Sequence, residues 1–199
     1  SLAARSYPAF AVTQVDSSLK AATYDIFRHP EGGRKDVLRW SAGPGEKPAA
    51  ELELYRPGSE AREAGPPIAE VATRMDPDGT RDIEAAGVID SKFGYVSLVD
   101  FADKAGNHSP CLGFMKNFDD ANVRISGWSC QAGLPPVRRA AIGCLIDHLI
   151  LLTAGNDPKL AELFAHAELR RGACTTAATP TASADWVTSP QNPGLRGRL

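Results

Sequence analysis

The sequence lacks long apolar runs and a strong charge of either sign. No stretch approaches the about 18 consecutive apolar residues of a membrane-spanning helix, and its start has neither the basic residues nor the apolar centre of a secretory signal. The formal net charge is −2 and the isoelectric point is about 6.1, so nothing in the composition favours nucleic acid as a partner. We expect a soluble chain. Whether a signal or membrane anchor preceded Ser1 stays open, since the sequence begins without methionine.

Signature motifs of common enzymes are also missing. The sequence has no HExxH, GxSxG, P-loop, GxGxxG or CxxCH motif and no EF-hand loop. We therefore predict no catalytic residue, no cofactor and no metal site. A His next to an Asp can form a general base with an orienting carboxylate, so Asp147-His148 and His166 keep a hydrolase open as one alternative.

Four cysteines are present without metal-binding spacing: Cys111, Cys130, Cys144 and Cys174. An even number without CxxC favours disulfides over zinc, and disulfides favour an oxidising compartment such as the periplasm. Three pairings are possible. We favour Cys130–Cys144 with Cys111–Cys174, because a direct Cys144–Cys174 bond requires the chain after Gly172 to fold back.

Most of the chain before residue 130 has strand character. Alternating or apolar runs predict strands at 22–28, 36–42, 50–56, 83–89, 93–101, 111–116 and 122–130, with a possible first edge strand around Phe10. The last two form a hairpin about the polar turn 117–120, and a short helix is predicted near 68–75. These elements predict an antiparallel sheet of about five to seven strands.

The pattern then changes to a helical period. Apolar residues spaced three and four apart predict a helix from Val137 to about Ala154, ended by Gly155. Asp157 as N-cap and Pro158 begin a second helix, which ends at Gly172. A short connection makes the two an antiparallel helical hairpin, residues 137–171. Strands first and helices last predict an α+β fold, with the hairpin packed on one face of the sheet.

The domain organisation follows the composition. Residues 1–174 form one disulfide-stapled α+β domain. The tail 175–199 is rich in Thr, Ala, Ser and Pro and cannot form a core of its own. Its isolated Trp186 is a candidate docking anchor for a partner, and Arg196 and Arg198 are further candidate contacts that extend the positive charge of the arginines at the predicted helix ends.

Four arginines mark the ends of the predicted helices. Arg138 and Arg139 begin the first, and Arg170 and Arg171 end the second, so an antiparallel hairpin brings them to one end. Positive charge opposes the dipole at a helix N-terminus. This predicts an anionic neighbour: a carboxylate of this chain, a lipid headgroup or the acidic patch of a partner.

The runs CLGF, GWSC and CLIDHLILLTAGNDPKLAELFAHAELRRGAC resemble a group of uncharacterised exported, membrane-anchored proteobacterial proteins. The resemblance covers the last third to half of the chain. It implies a periplasmic location and carries no activity. The expectation is a non-catalytic periplasmic interaction module, an accessory subunit of a membrane-associated complex. The alternatives are a domain that binds a small molecule or lipid between sheet and helices, and the hydrolase.

Overall fold

The computed structural model describes residues 7–172 apart from 14, 17, 61–66, 104 and 107–109, together with residue 174. The predicted docking residues Trp186, Arg196 and Arg198 lie outside the described residues. The described elements are, in chain order, β1 (Phe10–Val12), β2 (Ala21–Arg28), β3 (Arg34–Ser41), β4 (Ala50–Arg56), α1 (Pro67–Met75), β5 (Arg81–Ile89), β6 (Val96–Asp103), β7 (Cys111–Phe118), β8 (Val123–Ser129), α2 (Pro135–Asp147), β9 (Leu149–Leu151) and α3 (Pro158–Glu168). None of the described helices is long and apolar enough to cross a membrane.

The main sheet has seven antiparallel strands in the order β2-β3-β4-β8-β7-β6-β5. It consists of two runs of neighbouring strands, β2 to β4 and β5 to β8, that meet where β4 pairs with β8. The α+β class and the antiparallel sheet predicted from the sequence are confirmed.

The two faces of the sheet carry different layers, because successive side chains of a strand point to opposite sides. One face presents Leu38, Leu52 and Phe114 to an apolar core that includes buried residues of α2 and α3. The opposite face presents Phe101 and Trp128, which pack with Val71 of α1. We call these the core face and the α1 face.

The connection between α2 and α3 differs from the prediction. The first helix ends at Asp147, not near Ala154, and Leu149–Leu151 forms β9, which pairs with β1. The apolar spacing continues past the helix end, but Leu149 packs in the core as a strand residue. The premise of a short turn between two helices is therefore wrong. The second helix begins as predicted, with the Asp157 carboxylate accepting a hydrogen bond from the Leu160 N–H.

The start of the described chain is attached to the core face through Tyr24 of β2. The Tyr24 hydroxyl accepts hydrogen bonds from the N–H groups of Ala9 and Phe10 and donates to the buried carboxylate of Asp36. Arg34 and Arg56 pair with the same carboxylate. Burial, followed by the negative charge of Asp36, raises the pKa of Tyr24 to about 12.

Both predicted disulfides are present, but the favoured pairing is wrong. The bonds are Cys111–Cys130 and Cys144–Cys174. Leu112 pairs with Ser129 across β7 and β8, so Cys111 and Cys130 stand opposite each other at the next position, with Cα atoms 4.0 Å apart. The chain after α3 folds back, and the Gly172 N–H donates to the Asp147 carboxylate at the end of α2. Cys111–Cys130 therefore joins two neighbouring strands of the sheet, and Cys144–Cys174 joins α2 to the segment after α3. Neither bond links the sheet to the helices.

Candidate functional site

A network of charged side chains lies between α1 and the sheet. Glu51 and Glu53 of β4 are only 2% and 1% exposed. Arg74 of α1 approaches both, with its Nε 2.7 Å from Glu51 Oε2 and its Nη1 3.3 Å from Glu53 Oε2. Arg39 of β3 holds the other oxygen of Glu51 at 2.9 Å. Arg124 of β8 pairs with Glu70 of α1 and stands 3.8 Å from Glu53. The network joins α1 to three strands.

Several buried polar atoms in this network, or beside it on β8 opposite Glu51 and Glu53, have no hydrogen-bond partner among the described residues. They are Oε1 of Glu53, Nη2 of Arg74, Nε of Arg124, Oγ of Ser126 and Nε1 of Trp128. Buried polar groups normally find a protein, water or ligand partner. Most of these atoms are donors, so oxygen atoms of water or of a small oxyanion suit them.

A second buried charge stands where the β5–β6 turn meets the helices. Lys92 is 1% exposed, and its Nζ donates to the Leu149 carbonyl and the Glu168 carboxylate. Burial lowers the pKa of Lys92 despite this ion pair. Burial by itself raises the pKa of Glu168, but hydrogen bonds from Arg171 and Lys92 oppose it, and the net direction is downward. The pair connects the turn to α3.

The candidate catalytic residues have separate partners. The carboxylate of Asp147 accepts backbone N–H bonds from Lys92 and Gly172. The ring of His148 lies against the Cys144–Cys174 disulfide, with Nδ1 3.0 Å from Cys174 Sγ. His166 stands in the last turn of α3. No hydrogen bond joins Asp147 to either histidine within the described part of the chain, so the geometry does not form the His-Asp pair that a hydrolase would use.

The four predicted arginines have different surroundings. Arg138 lies 3.6 Å from the Asp100 carboxylate of β6. Arg139 donates to two carbonyls of β5, at 2.6 Å and 2.7 Å. Arg171 pairs with Glu168 at 2.6 Å, and the N–H of Arg170 donates to the Ala167 carbonyl. The two helix-opening arginines therefore contact the sheet, and Arg138 meets a carboxylate of this chain.

The two edge strands of the sheet differ in protection. β5 has a register shift between Ala85 and Val88, with Gly87 at a φ of 79°, and Arg139 occupies two of its carbonyls. β2 pairs with β3 without interruption over its whole length and contains no proline. Among the described residues no strand pairs with its outer side. Long regular edges are association sites unless they are blocked.

Side chains on the open edge are suited to contact with another chain. Phe27 is 51% exposed on the α1 face, next to exposed Asp25 on the same strand face. The N–H of His29 donates to Gly33, which marks a hydrogen-bonded pair at the hairpin end. Since such pairs alternate along antiparallel strands, the N–H groups of Ala22, Tyr24 and Ile26 face outward. β2 thus offers both backbone donors and an apolar side chain.

The chain matches no protein-family model, and no curated protein or solved structure is detectably similar to it. The site must accordingly be interpreted from its own geometry.

Sequence reasoning missed the charged network and the open edge. The strict alternation of AELELYR indicates that Glu51 and Glu53 share one face of β4. The helix at 67–75 is amphipathic and carries Glu70 and Arg74. Such a helix can pack over the strand face that holds Glu51 and Glu53 and pair with its charges, and this was the indication in the sequence that the face is buried.

Proposed function

We propose that the protein is a non-catalytic periplasmic interaction module that binds an extended segment of a protein partner along β2. The open, regular edge of β2 is the observation that carries this proposal. Addition of a strand satisfies the outward backbone groups of an edge, while side-chain contacts give specificity.

The chemistry of β2 defines the segment it would take. A strand added beside β2 places alternate side chains on the α1 face next to Phe27 and Asp25. An apolar side chain opposite Phe27 covers the exposed ring, and a basic one nearby complements Asp25. Asp25 already has Arg39 at 3.2 Å, so the apolar contact is the main source of specificity.

The compartment and the partner class come from other observations. Two disulfides indicate an oxidising environment, and the resemblance to exported membrane-anchored proteins favours the periplasm. We propose that the partner is a subunit of a membrane-associated complex and that this chain is its accessory subunit. Anionic lipid headgroups remain the alternative partner for Arg170 near the end of the described chain.

The test is gentle detergent extraction from the native host, followed by mass spectrometry of proteins that co-purify stoichiometrically. Two variants target the edge: Phe27→Lys removes the apolar contact, and Ala22→Pro removes an outward N–H without breaking the β2–β3 ladder. Ile83→Lys is the control, because Ile83 lies on the opposite edge strand with a similar exposure of 46%.

We expect one fixed set of partners with the wild type and Ile83→Lys, and its loss with both β2 variants. Retention of the same partners by all variants would place the interface elsewhere. Recovery of the wild-type chain alone would reject the interaction module.

A second candidate function is supported by the unpartnered atoms beneath α1. The sequence also suggested a ligand pocket between the sheet and the helices. In the structure, buried apolar residues occupy the position between the sheet and α2 and α3. The α1 face instead has donors from Arg74, Arg124 and Trp128 directed at no described partner. We propose a small carboxylate or phosphate as the ligand.

The ligand hypothesis is tested by thermal shift against a panel of small carboxylates and inorganic phosphate. Trp128→Phe removes the indole N–H while keeping an aromatic ring. We expect a stabilising anion for the wild type and a reduced shift for the variant. Equal shifts for both, or none for any anion, would remove this candidate.

A further inference from the structure

Three metal-binding side chains meet where α2 ends. The sulfur atoms of Cys144 and Cys174 and a ring nitrogen of His148 all lie within 4.8 Å of one another. Cys144 and His148 are four residues apart at the end of a helix, which places them on one side of it one turn apart. Two ligands four residues apart on a helix are a common metal-binding arrangement, so the prediction that the cysteines lack metal-binding spacing does not hold for this pair.

The orientation of the imidazole suits a metal ligand. His148 Nδ1 lies 3.0 Å from the carbonyl oxygen of Cys144. When Nδ1–H donates to that carbonyl, Nε2 keeps a free lone pair, and it lies 3.8 Å from Cys174 Sγ. A backbone carbonyl that fixes the tautomer of a ligating histidine is the usual outer partner of such a site.

The two disulfides differ in access. Cys111 is fully buried between the sheet and α1 and its partner Cys130 is partly exposed, whereas Cys144 and Cys174 are both partly exposed, so only the first disulfide has one sulfur shielded by the core. Exposed disulfides are the ones open to thiol exchange. A reductant therefore meets Cys144–Cys174 first.

We propose that Cys144, His148 and Cys174 form a site for a Zn²⁺-class cation once a dithiol reductant has opened their disulfide. The dithiol transfers two electrons and two protons, becoming a disulfide itself and leaving two thiols on this chain. The cation then displaces both thiol protons and binds two thiolates and the imidazole. Two Cys and one His leave the fourth tetrahedral position open to water. The oxidised chain lacks the site, so it is specific to the reduced state.

The experiment begins with the full oxidised chain and a limiting dithiol. Alkylation and mass spectrometry should locate two new thiols at Cys144 and Cys174, with Cys111–Cys130 intact. Zn²⁺ binding is then measured by competition with a chromophoric chelator, and Co²⁺ reports thiolate ligation through its charge-transfer absorption. We expect one equivalent of tight binding by the reduced chain and none by the oxidised chain.

Substitutions separate this site from other ligands. His148→Ala should weaken Zn²⁺ binding by at least about tenfold, whereas His166→Ala, on exposed surface of α3, should leave it unchanged. Equal affinity for the two variants, binding by the oxidised chain, or no binding by the reduced folded chain would overturn the proposal.

Reduction also removes a covalent link, and the fold is followed by circular dichroism. If reduction loosens the chain, Zn²⁺ should restore the wild-type spectrum but not that of His148→Ala, since metal binding and folding are coupled. Failure of Zn²⁺ to restore the wild type would likewise overturn the proposal.

Discussion

Arg74 offers a sharp test of the charged network beneath α1. The substitution Arg74→Met keeps the helix and much of the aliphatic stem but removes the guanidinium that serves two buried carboxylates. Glu51 keeps Arg39 at 2.9 Å, whereas among the described residues the one cation that remains near Glu53 is Arg124 at 3.8 Å. Removing one partner of a buried ion pair costs about 3–5 kcal/mol. Because one carboxylate retains a close partner, we expect about 3 kcal/mol, near the lower end.

The assay is urea unfolding of the oxidised chain, with the free energy of unfolding extrapolated to water. The control is Lys159→Met, which breaks an ion pair with Asp120 at 3.4 Å between side chains that are 61% and 94% exposed. Exposed pairs contribute about 0–1 kcal/mol. Each substitution thus removes one cation, Arg74→Met from beside buried carboxylates and Lys159→Met from an exposed ion pair.

A double-mutant cycle shows whether the cost comes from an orphaned charge. Glu53→Gln removes the charge that Arg74→Met leaves poorly paired, so the double variant should be less destabilised than the sum of the single variants, by at least about 1 kcal/mol. Additive effects, or a cost of Arg74→Met no larger than that of Lys159→Met, would refute the reasoning.

Two further perturbations test the contribution of two tyrosine hydroxyls and of the Cys111–Cys130 disulfide to stability. Burial raises the pKa of both Tyr24 and Tyr55 to about 12; because a raised folded pKa stabilises the protonated form, the free energy of unfolding should fall as pH rises from about 10 through about 12. Tyrosinate absorbance should lose one high-pH step in each of Tyr24→Phe and Tyr55→Phe, and ionisation of both groups near pH 10 would contradict the shielding of Tyr24 by burial and by Asp36 and that of Tyr55 by burial and by its hydrogen bond to Glu60. Replacing Cys111 and Cys130 together by Ala opens a loop with a sequence separation of 19 and should lower the free energy of unfolding by about 3 kcal/mol; a loss below about 1 kcal/mol in urea unfolding would show that the sheet alone fixes that register.

The elements of the sheet were predictable because their signals are local. Each of the seven strands of the main sheet lies within or close to a range expected from alternation and turn residues, and the short helix 68–75 is α1. The three-residue strand β9 was not predictable. Its partner β1 is distant in sequence, and the apolar residues of β9 continue the spacing of α2. Tertiary pairing decides such short segments.

The favoured disulfide pairing was wrong because the chain after Gly172 does fold back, and the hairpin register held a second clue to the correct pairing. A hairpin turn at 117–120 places Cys111 opposite a residue near Ser126, several positions short of Cys130. The turn in the structure lies two residues later, between Phe118 and Val123, where Asn122 adopts a φ of 49°. Register follows the turn, so the correct turn would have indicated Cys111–Cys130. The charged site was harder, since Arg74 and Arg124 are far from Glu53 in sequence.

The junction of β4 and β8 has a consequence for how the chain folds. Hairpins within β2 to β4 and within β5 to β8 form between strands that are close in sequence. The pairing of β4 with β8 instead joins residues that are far apart in sequence, such as Ala50 and Ser129. Closing so long an intervening segment carries an entropic cost before any contact is gained. Topologies dominated by such distant pairings fold slowly. We therefore expect docking of the two half-sheets to limit the folding rate, with α1 in the segment that this docking closes.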